Sequence, residues 1–281
     1  MTEMLMAGRR RRLPTLPATG WLGAAILLAS LFIALFPQWL APYDPLAFDY
    51  RAILHPPSAA HWFGTDNFGR DMLSRVIYAW RVDMQIAVFT TLFPMLFGTL
   101  VGLLVGYYGG IAEVLFQRLV DAVITFPLLV LVIAIVAILS PGLGSMYIAV
   151  GIIYWVFYAR LISAEVGIQK KLDYVAAGKV MGYSDLRIIF RHLLPNVATV
   201  TLVYWMTDMA LAILLGSSLG YLGLGAQPPT AEWGVLIASG KNYMDTAWWI
   251  TVFPGTAIVL TGLGFSLTGD LLAALMKPGR D

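Results

Sequence analysis

From Trp21 to Trp39 the chain carries no charged side chain, and five more long apolar stretches follow it. About 20 consecutive apolar residues are enough for a helix to cross a hydrocarbon layer of roughly 30 Å. Within that layer the backbone must satisfy its own hydrogen bonds, so each stretch reads as a spanning helix. The further spans are Met84 to Tyr108, Ala122 to Leu139, Met146 to about Ile168, about Val197 to Leu215, and Trp248 to Leu275. Composition agrees: 59% of the 281 residues are hydrophobic and 12% are charged, against about a quarter charged in a soluble domain. A disordered chain, a nucleic-acid-binding tail and an ordinary cytosolic enzyme are thereby excluded. With no cysteine, so are a disulfide framework and thiolate chemistry. The expected fold class is an all-α polytopic membrane protein with six transmembrane helices.

The cations orient it. With the N-terminus in the cytoplasm, Arg9 to Arg12, Arg118, Lys170, Lys171, Lys179, Arg187, Arg191, Lys277 and Arg280 fall inside. Arg51, Arg70, Arg75, Arg81 and Lys241 fall outside. That asymmetry follows the positive-inside rule and makes both termini cytoplasmic. The expected layout is a basic cytoplasmic tail over 1–18, a first span over 19–40, an extracytoplasmic loop over 41–83, a five-helix core over 84–276, and a cytoplasmic tail over 277–281. The pair Arg11-Arg12 before an apolar run is leader-like, but Phe36-Pro37-Gln38-Trp39 offers no small-residue cleavage site, so the first span is expected to be an uncleaved anchor.

Two loops are distinctive. Outside, Phe68, Met72, Leu73, Val76 and Ile77 fall at helical spacing opposite Arg70, Asp71, Ser74 and Arg75. This pattern predicts an amphipathic helix lying at the outer interface, with Asp71 and Arg75 spaced to pair. Inside, over 169–196, Leu172, Val175, Ala176, Lys179 and Val180 share a helical face. Gly182 then breaks the helix, Ser184 is placed to cap a second one from Asp185, and Pro195 is placed to stop it. The result is a compact knuckle. On the residues alone it is either a docking element, open to close approach at Ala177, Gly178 and Gly182, or a solvated helical hairpin.

The knuckle reads Ala176-Ala177-Gly178-x3-Gly182-x9-His192-x-Leu194-Pro195. It resembles the Glu-Ala-Ala-x3-Gly-x9-Ile-x-Leu-Pro loop of bacterial ABC-importer permeases, with Ala176 in place of the glutamate, Gly178 of the second alanine and His192 of the isoleucine. The run Ile188 to Asn196 is similar to the dipeptide/oligopeptide/nickel branch of that family. So are Gly64-Thr65-Asp66-Asn67-Phe68-Gly69-Arg70-Asp71-Met72-Leu73-Ser74-Arg75, the loop Tyr221 to Thr230 followed by Glu232-Trp233-Gly234, and Leu40 to Pro45. The resemblance covers about residues 20–278. It implies a type I ABC-importer permease fold in the bacterial cytoplasmic membrane. It also implies a second homologous permease as heterodimer partner, two cytoplasmic ATPase subunits and an extracytoplasmic solute-binding protein, with surrounding lipid and no nucleic acid. The knuckle would couple to the ATPase through Tyr174, Ala177, Gly182, Asp185 and Arg187. The implied cargo is di- or oligopeptides, with nickel, glutathione or an opine as alternatives.

Other residues leave choices open. Asp208, in the middle of the fifth span, is either path-lining or an interhelical hydrogen-bonding residue. Gly98, Gly102 and Gly106 form a smooth stripe for close packing, within this chain or against a partner. Pro94, Pro127 and Pro254 predict kinks. Arg160 and Glu165 are expected to snorkel near a span end. His55 and His61 lack metal-ligand spacing, and Gly234-x5-Gly240-Lys241 is one residue too long for a phosphate loop. No catalytic residue, cofactor or metal site is expected. The remote alternatives are an aspartyl enzyme built on Asp208 and Asp270, and a membrane scaffold.

Overall fold

The computed structural model describes residues 18–276; Arg9 to Arg12, Lys277, Arg280 and most of both expected tails lie outside the described residues. The chain is helical: α1 Ala18–Leu35, α2 Pro37–Leu40, α3 Met72–Tyr108, α4 Gly110–Thr125, α5 Leu128–Leu139, α6 Leu143–Gln169, α7 Asp173–Val180, α8 Asp185–Ile188, a π-helical turn Ile189–Leu193, α9 Leu194–Tyr221, α10 Trp233–Gly240 and α11 Trp249–Met276. Among the described residues five helices are long and apolar enough to span a membrane: α1, α3, α6, α11 and the rod from Asp185 to Tyr221. The bent pair α4–α5 counts as a sixth if the two helices form one broken span.

The third span departs from expectation. Its helix breaks by 85° inside the stretch Ala122 to Leu139. Pro127 is the cause: it pushes the preceding Phe126 to extended geometry, φ −81° and ψ 140°, where a helix cannot continue. Pro94 and Pro254 instead lie within continuous helices.

The bundle is organised around the seam between α3 and α6. A Cβ built on Gly98 would lie 2.4 Å from the Trp155 carbonyl oxygen, one on Gly102 2.6 Å from that of Ala159, and one on Gly106 2.8 Å from that of Ser163. Three glycines at four-residue spacing therefore meet three residues of α6 at the same spacing, backbone against backbone. The stripe is used within this chain. A second close contact, Gly20 and Gly23 against Leu271 and Leu267, joins α1 to α11.

The amphipathic segment is not an interfacial helix. No glycine or proline stands between Met72 and Met84, so nothing ends the helix there, and it runs straight into the second span as the 37-residue α3. At 1.5 Å per residue that is about 55 Å, well beyond a layer of roughly 30 Å. Its polar side is buried beneath the 41–71 loop, not facing water. Asp71 caps α3, its Oδ2 accepting from Ser74 N at 2.8 Å and from Ser74 Oγ at 2.7 Å, while its Oδ1 is 2.9 Å from His61 Nδ1. The expected Asp71–Arg75 side-chain pair does not form. Asp66 takes the arginines instead: Arg70 Nε donates to Asp66 Oδ2 at 2.7 Å, and Arg75 Nε lies 3.6 Å from the same oxygen. Gly69 (φ +73°) turns the loop where a Cβ would overlap the Asp49 carbonyl. Trp249 Nε1 donates to the Thr65 carbonyl at 2.9 Å, fastening the loop to α11.

The neighbouring loop over 222–232 is fastened through acids. Glu232 is fully buried and caps α10 by accepting from Gly234 N at 2.7 Å and Val235 N at 2.9 Å. The side chain of Asp83 is buried close by. Asp83 Oδ2 in turn accepts from Trp233 N at 3.1 Å. Residues 234–240, which approach a phosphate-loop pattern, are helical in α10 and form no cradle.

Two outcomes are expected. Gly102→Leu drives a side chain into the Ala159 backbone and costs at least about 1–3 kcal/mol; the variant should be recovered from membranes at a small fraction of the wild-type level. Burial pushes the Glu232 carboxyl above its reference of 4.5, so the folded chain holds that proton to higher pH than the unfolded chain. This contribution is fully present below about pH 4.5 and is lost as pH rises through the folded value. A melting series above pH 4.5 should show the decline, and Glu232→Gln should flatten it.

Candidate functional site

The knuckle forms as a helix, a glycine and a second helix. α7 ends at Val180 and the chain reverses at Gly182 (φ +75°), a backbone conformation suited to glycine. Ser184 then caps α8, its Oγ accepting from Arg187 N at 3.4 Å. Pro195 does not stop the second helix. The five-residue π turn Ile189–Leu193 precedes it, and Pro195 falls in the first turn of α9, where its missing N–H costs nothing. The knuckle is thus continuous with a spanning helix.

It is held rigidly. Val175, Ile188, Ile189 and Leu193 are buried in one cluster with Leu103 of α3 and Ile162 and Val166 of α6. Tyr107, at the end of α3, donates to Asp185 Oδ1 at 2.5 Å. The Arg187 guanidinium lies 4.0 Å from the centroid of the Tyr183 ring, and His192 stacks on the same ring at 5.6 Å. Tyr174 donates to Gln169 Oε1 at 3.1 Å. His192, which departs from the family pattern, therefore supplies the packing expected of an apolar residue there.

The five coupling candidates divide. Tyr174, Asp185 and Arg187 make contacts that hold the knuckle in place, whereas Ala177 and Gly182 are exposed, and nothing lies within 4 Å of a Cβ built on Gly182. Around Gly182, Val180 is 89% exposed, Met181 60% and Leu186 59%. This apolar tip was not singled out in the sequence. Its signal was slight: Val180 and Met181 just before Gly182 and Leu186 four residues after it, outside any span.

Asp208 belongs elsewhere, roughly 35 Å along the rod from Asp185 at 1.5 Å per residue. It is buried and accepts from Tyr158 OH of α6 at 2.7 Å, while Tyr158 packs edge-on against Tyr204. Asp270 is exposed on α11 and makes no hydrogen bond with Asp208. Arg160 is exposed, and Glu165 accepts from Gln169 Nε2 at 2.9 Å. Among the described residues no group of three or more His, Cys, Asp or Glu is placed to hold a metal ion; His61 is engaged with Asp71.

Comparison with known proteins assigns the class of this helical membrane bundle. Residues 98–281 match the family model described as "Binding-protein-dependent transport system inner membrane component", and the chain belongs to that family. It is 40% identical over 255 residues to the probable D,D-dipeptide transport system permease protein DdpC of Escherichia coli (strain K12), covering 91% of this chain and 86% of that one. The glutathione transport system permease protein GsiD of Pectobacterium atrosepticum is 38% identical over 253 residues, 90% and 84% of the two chains. The di/tripeptide transport system permease protein DppC of Pseudomonas aeruginosa is 40% identical over 262 residues, 91% and 86%. The chain is a multi-pass inner-membrane permease, and its family implies a binding protein and an ATPase as partners.

The Tyr158–Asp208 bond makes a prediction. Asp208→Leu strands a buried hydroxyl at a cost of about 1–3 kcal/mol, whereas Asp208→Asn keeps an acceptor. In melting of the purified protein the leucine variant should fall well below wild type and the asparagine variant should stay near it.

Proposed function

We propose that this chain is one of two homologous permease subunits of an ATP-driven importer of di- or oligopeptides, and that its knuckle receives the ATPase stroke. Two cytoplasmic ATPase subunits would close on ATP, and a solute-binding protein would deliver the cargo at the opposite end. The observation that carries the coupling reading is the exposed apolar tip of Val180, Met181 and Leu186 around Gly182, borne on an element clamped to α3 and α6. Exposed aliphatic side chains in water favour a protein partner over a solvated hairpin. Tyr174, Asp185 and Arg187 then act as positioning residues that keep the tip rigid, while Ala177 and Gly182 allow close approach. Asp208 serves as an interhelical tie between α6 and α9, consistent with its bond to Tyr158. The basic residues at the knuckle end, Lys170, Lys171, Lys179, Arg187 and Arg191, support placing that end in the cytoplasm. Peptide cargo rests on the names of the relatives, two of which specify dipeptides or tripeptides.

The test is uptake of a radiolabelled dipeptide by cells carrying the complete transporter. Gly182→Arg should lower ATP-dependent uptake at least tenfold and release the ATPase on purification, with membrane insertion unchanged. Gly182→Ala meets no atom within 4 Å and bears only the strain of its positive φ, about 1–2 kcal/mol, so it should retain most uptake. Undiminished transport by Gly182→Arg would sink the coupling role. Absence of dipeptide uptake, with transport of labelled glutathione or nickel by the same cells, would reassign the cargo.

A further inference from the structure

Arg81, on the first turns of α3, sits where two cavities meet. Above it a cavity of about 630 Å³ is lined by Gln38, Tyr43, Asp44, Tyr78 and the 229–231 segment. Below it a cavity of about 270 Å³ runs between α1 and α3, lined by Leu31, Ala34 and Leu35 on one side and Met84, Val88 and Phe89 on the other. The first lies in the loops and sets a few polar groups in a mainly apolar wall; the other is apolar and follows two spanning helices.

The depth of Arg81 follows from α1. The charge-free helix ends at Leu35, and Arg81 Nε donates to the Ala34 carbonyl at 3.0 Å while Nη2 donates to that of Leu35 at 3.0 Å. Trp39, just beyond, is 70% exposed and stacks on Phe36. A guanidinium at the end of an apolar span beside an exposed tryptophan stands at headgroup level. Leu31, Leu35 and Phe89, which line the lower groove, are themselves exposed on the outside of the bundle.

The charges in the upper cavity are only partly used. Among the described residues Arg81 Nη1 makes no hydrogen bond and Arg81 has no acidic partner. Asp44 Oδ1 accepts from Leu46 N at 2.8 Å, leaving Oδ2 open on an exposed side chain. The cavity therefore presents a cation with free donors and a carboxylate with a free acceptor, directly above a groove of acyl-chain character.

We propose that this composite site binds a glycerophospholipid with a primary-amine headgroup: phosphate on Arg81 Nη1, ammonium on Asp44, and one acyl chain between α1 and α3. A purely anionic headgroup would face Asp44 unfavourably, and a quaternary ammonium has no N–H to give it. A zwitterionic peptide shares the headgroup's charges, but it would leave the apolar groove empty. The continuity of the two cavities through Arg81 favours the lipid. The inference does not depend on what the protein transports.

Native mass spectrometry of the full chain, purified in mild detergent and mixed with phosphatidylethanolamine, phosphatidylcholine or phosphatidylglycerol of matched acyl chains, tests it. The ethanolamine lipid should be retained at least fivefold over either of the others. Asp44→Asn should bring the three within twofold, and Arg81→Gln should lower retention of all three at least fivefold. Arg81 also ties α3 to α1, so a poorly folded Arg81→Gln would leave Asp44→Asn, on an exposed side chain, to decide. Equal retention of the three lipids by wild type, or an unchanged preference in Asp44→Asn, overturns the proposal. So does glycylglycine binding that Asp44→Asn abolishes while lipid retention is unaffected, which would make the cavity a solute site.

Discussion

Every other feature of this protein depends on how closely two backbones approach. In a bilayer, apolar side chains gain little by leaving lipid for one another, so helices associate through dense contact and the hydrogen bonds it permits. Gly98, Gly102 and Gly106 remove the side chains that would hold α3 away from α6. Once the two lie in contact, α3 becomes a spine. Its first turns carry the Asp66–Asp71 loop and its last residues reach Asp185, so both polar ends of the molecule are referenced to one helix.

The two ends use polarity in opposite ways. At the loop end, side chains that look functional on paper are consumed by architecture: Asp66, Arg70, Asp71, Ser74 and Arg75 are all buried and bonded to their surroundings. A family signature there records how to fold a loop onto a helix end, not a binding chemistry. At the knuckle end Tyr107, Tyr174 and Tyr183 engage polar neighbours as clamps, and the tip exposes Val180, Met181 and Leu186 among the exposed charges of Lys179 and Arg187.

Much of this was legible from the sequence. Long uncharged runs defined the spans because the bilayer leaves the backbone few options. Gly182 and Ser184 marked the knuckle because a left-handed turn and a helix cap each demand particular residues. Errors arose where a local rule met a compensating context. Pro195 reads as a stop, but the π turn before it shifts the hydrogen-bond register so that the proline opens a helix. The polar face of residues 67–75 reads as solvent-facing, but a loop distant in sequence covers it. Asp83 and Glu232 stand 149 positions apart, and no spacing rule connects them.

The π turn at Ile189–Leu193 has a mechanical consequence. It joins the knuckle to α9 without a hinge, so Asp185 to Tyr221 is a single shaft crossing the whole protein. A torque applied at one end reaches the other as rotation of that shaft, with Asp208 and its tyrosine partway along as a bearing against α6.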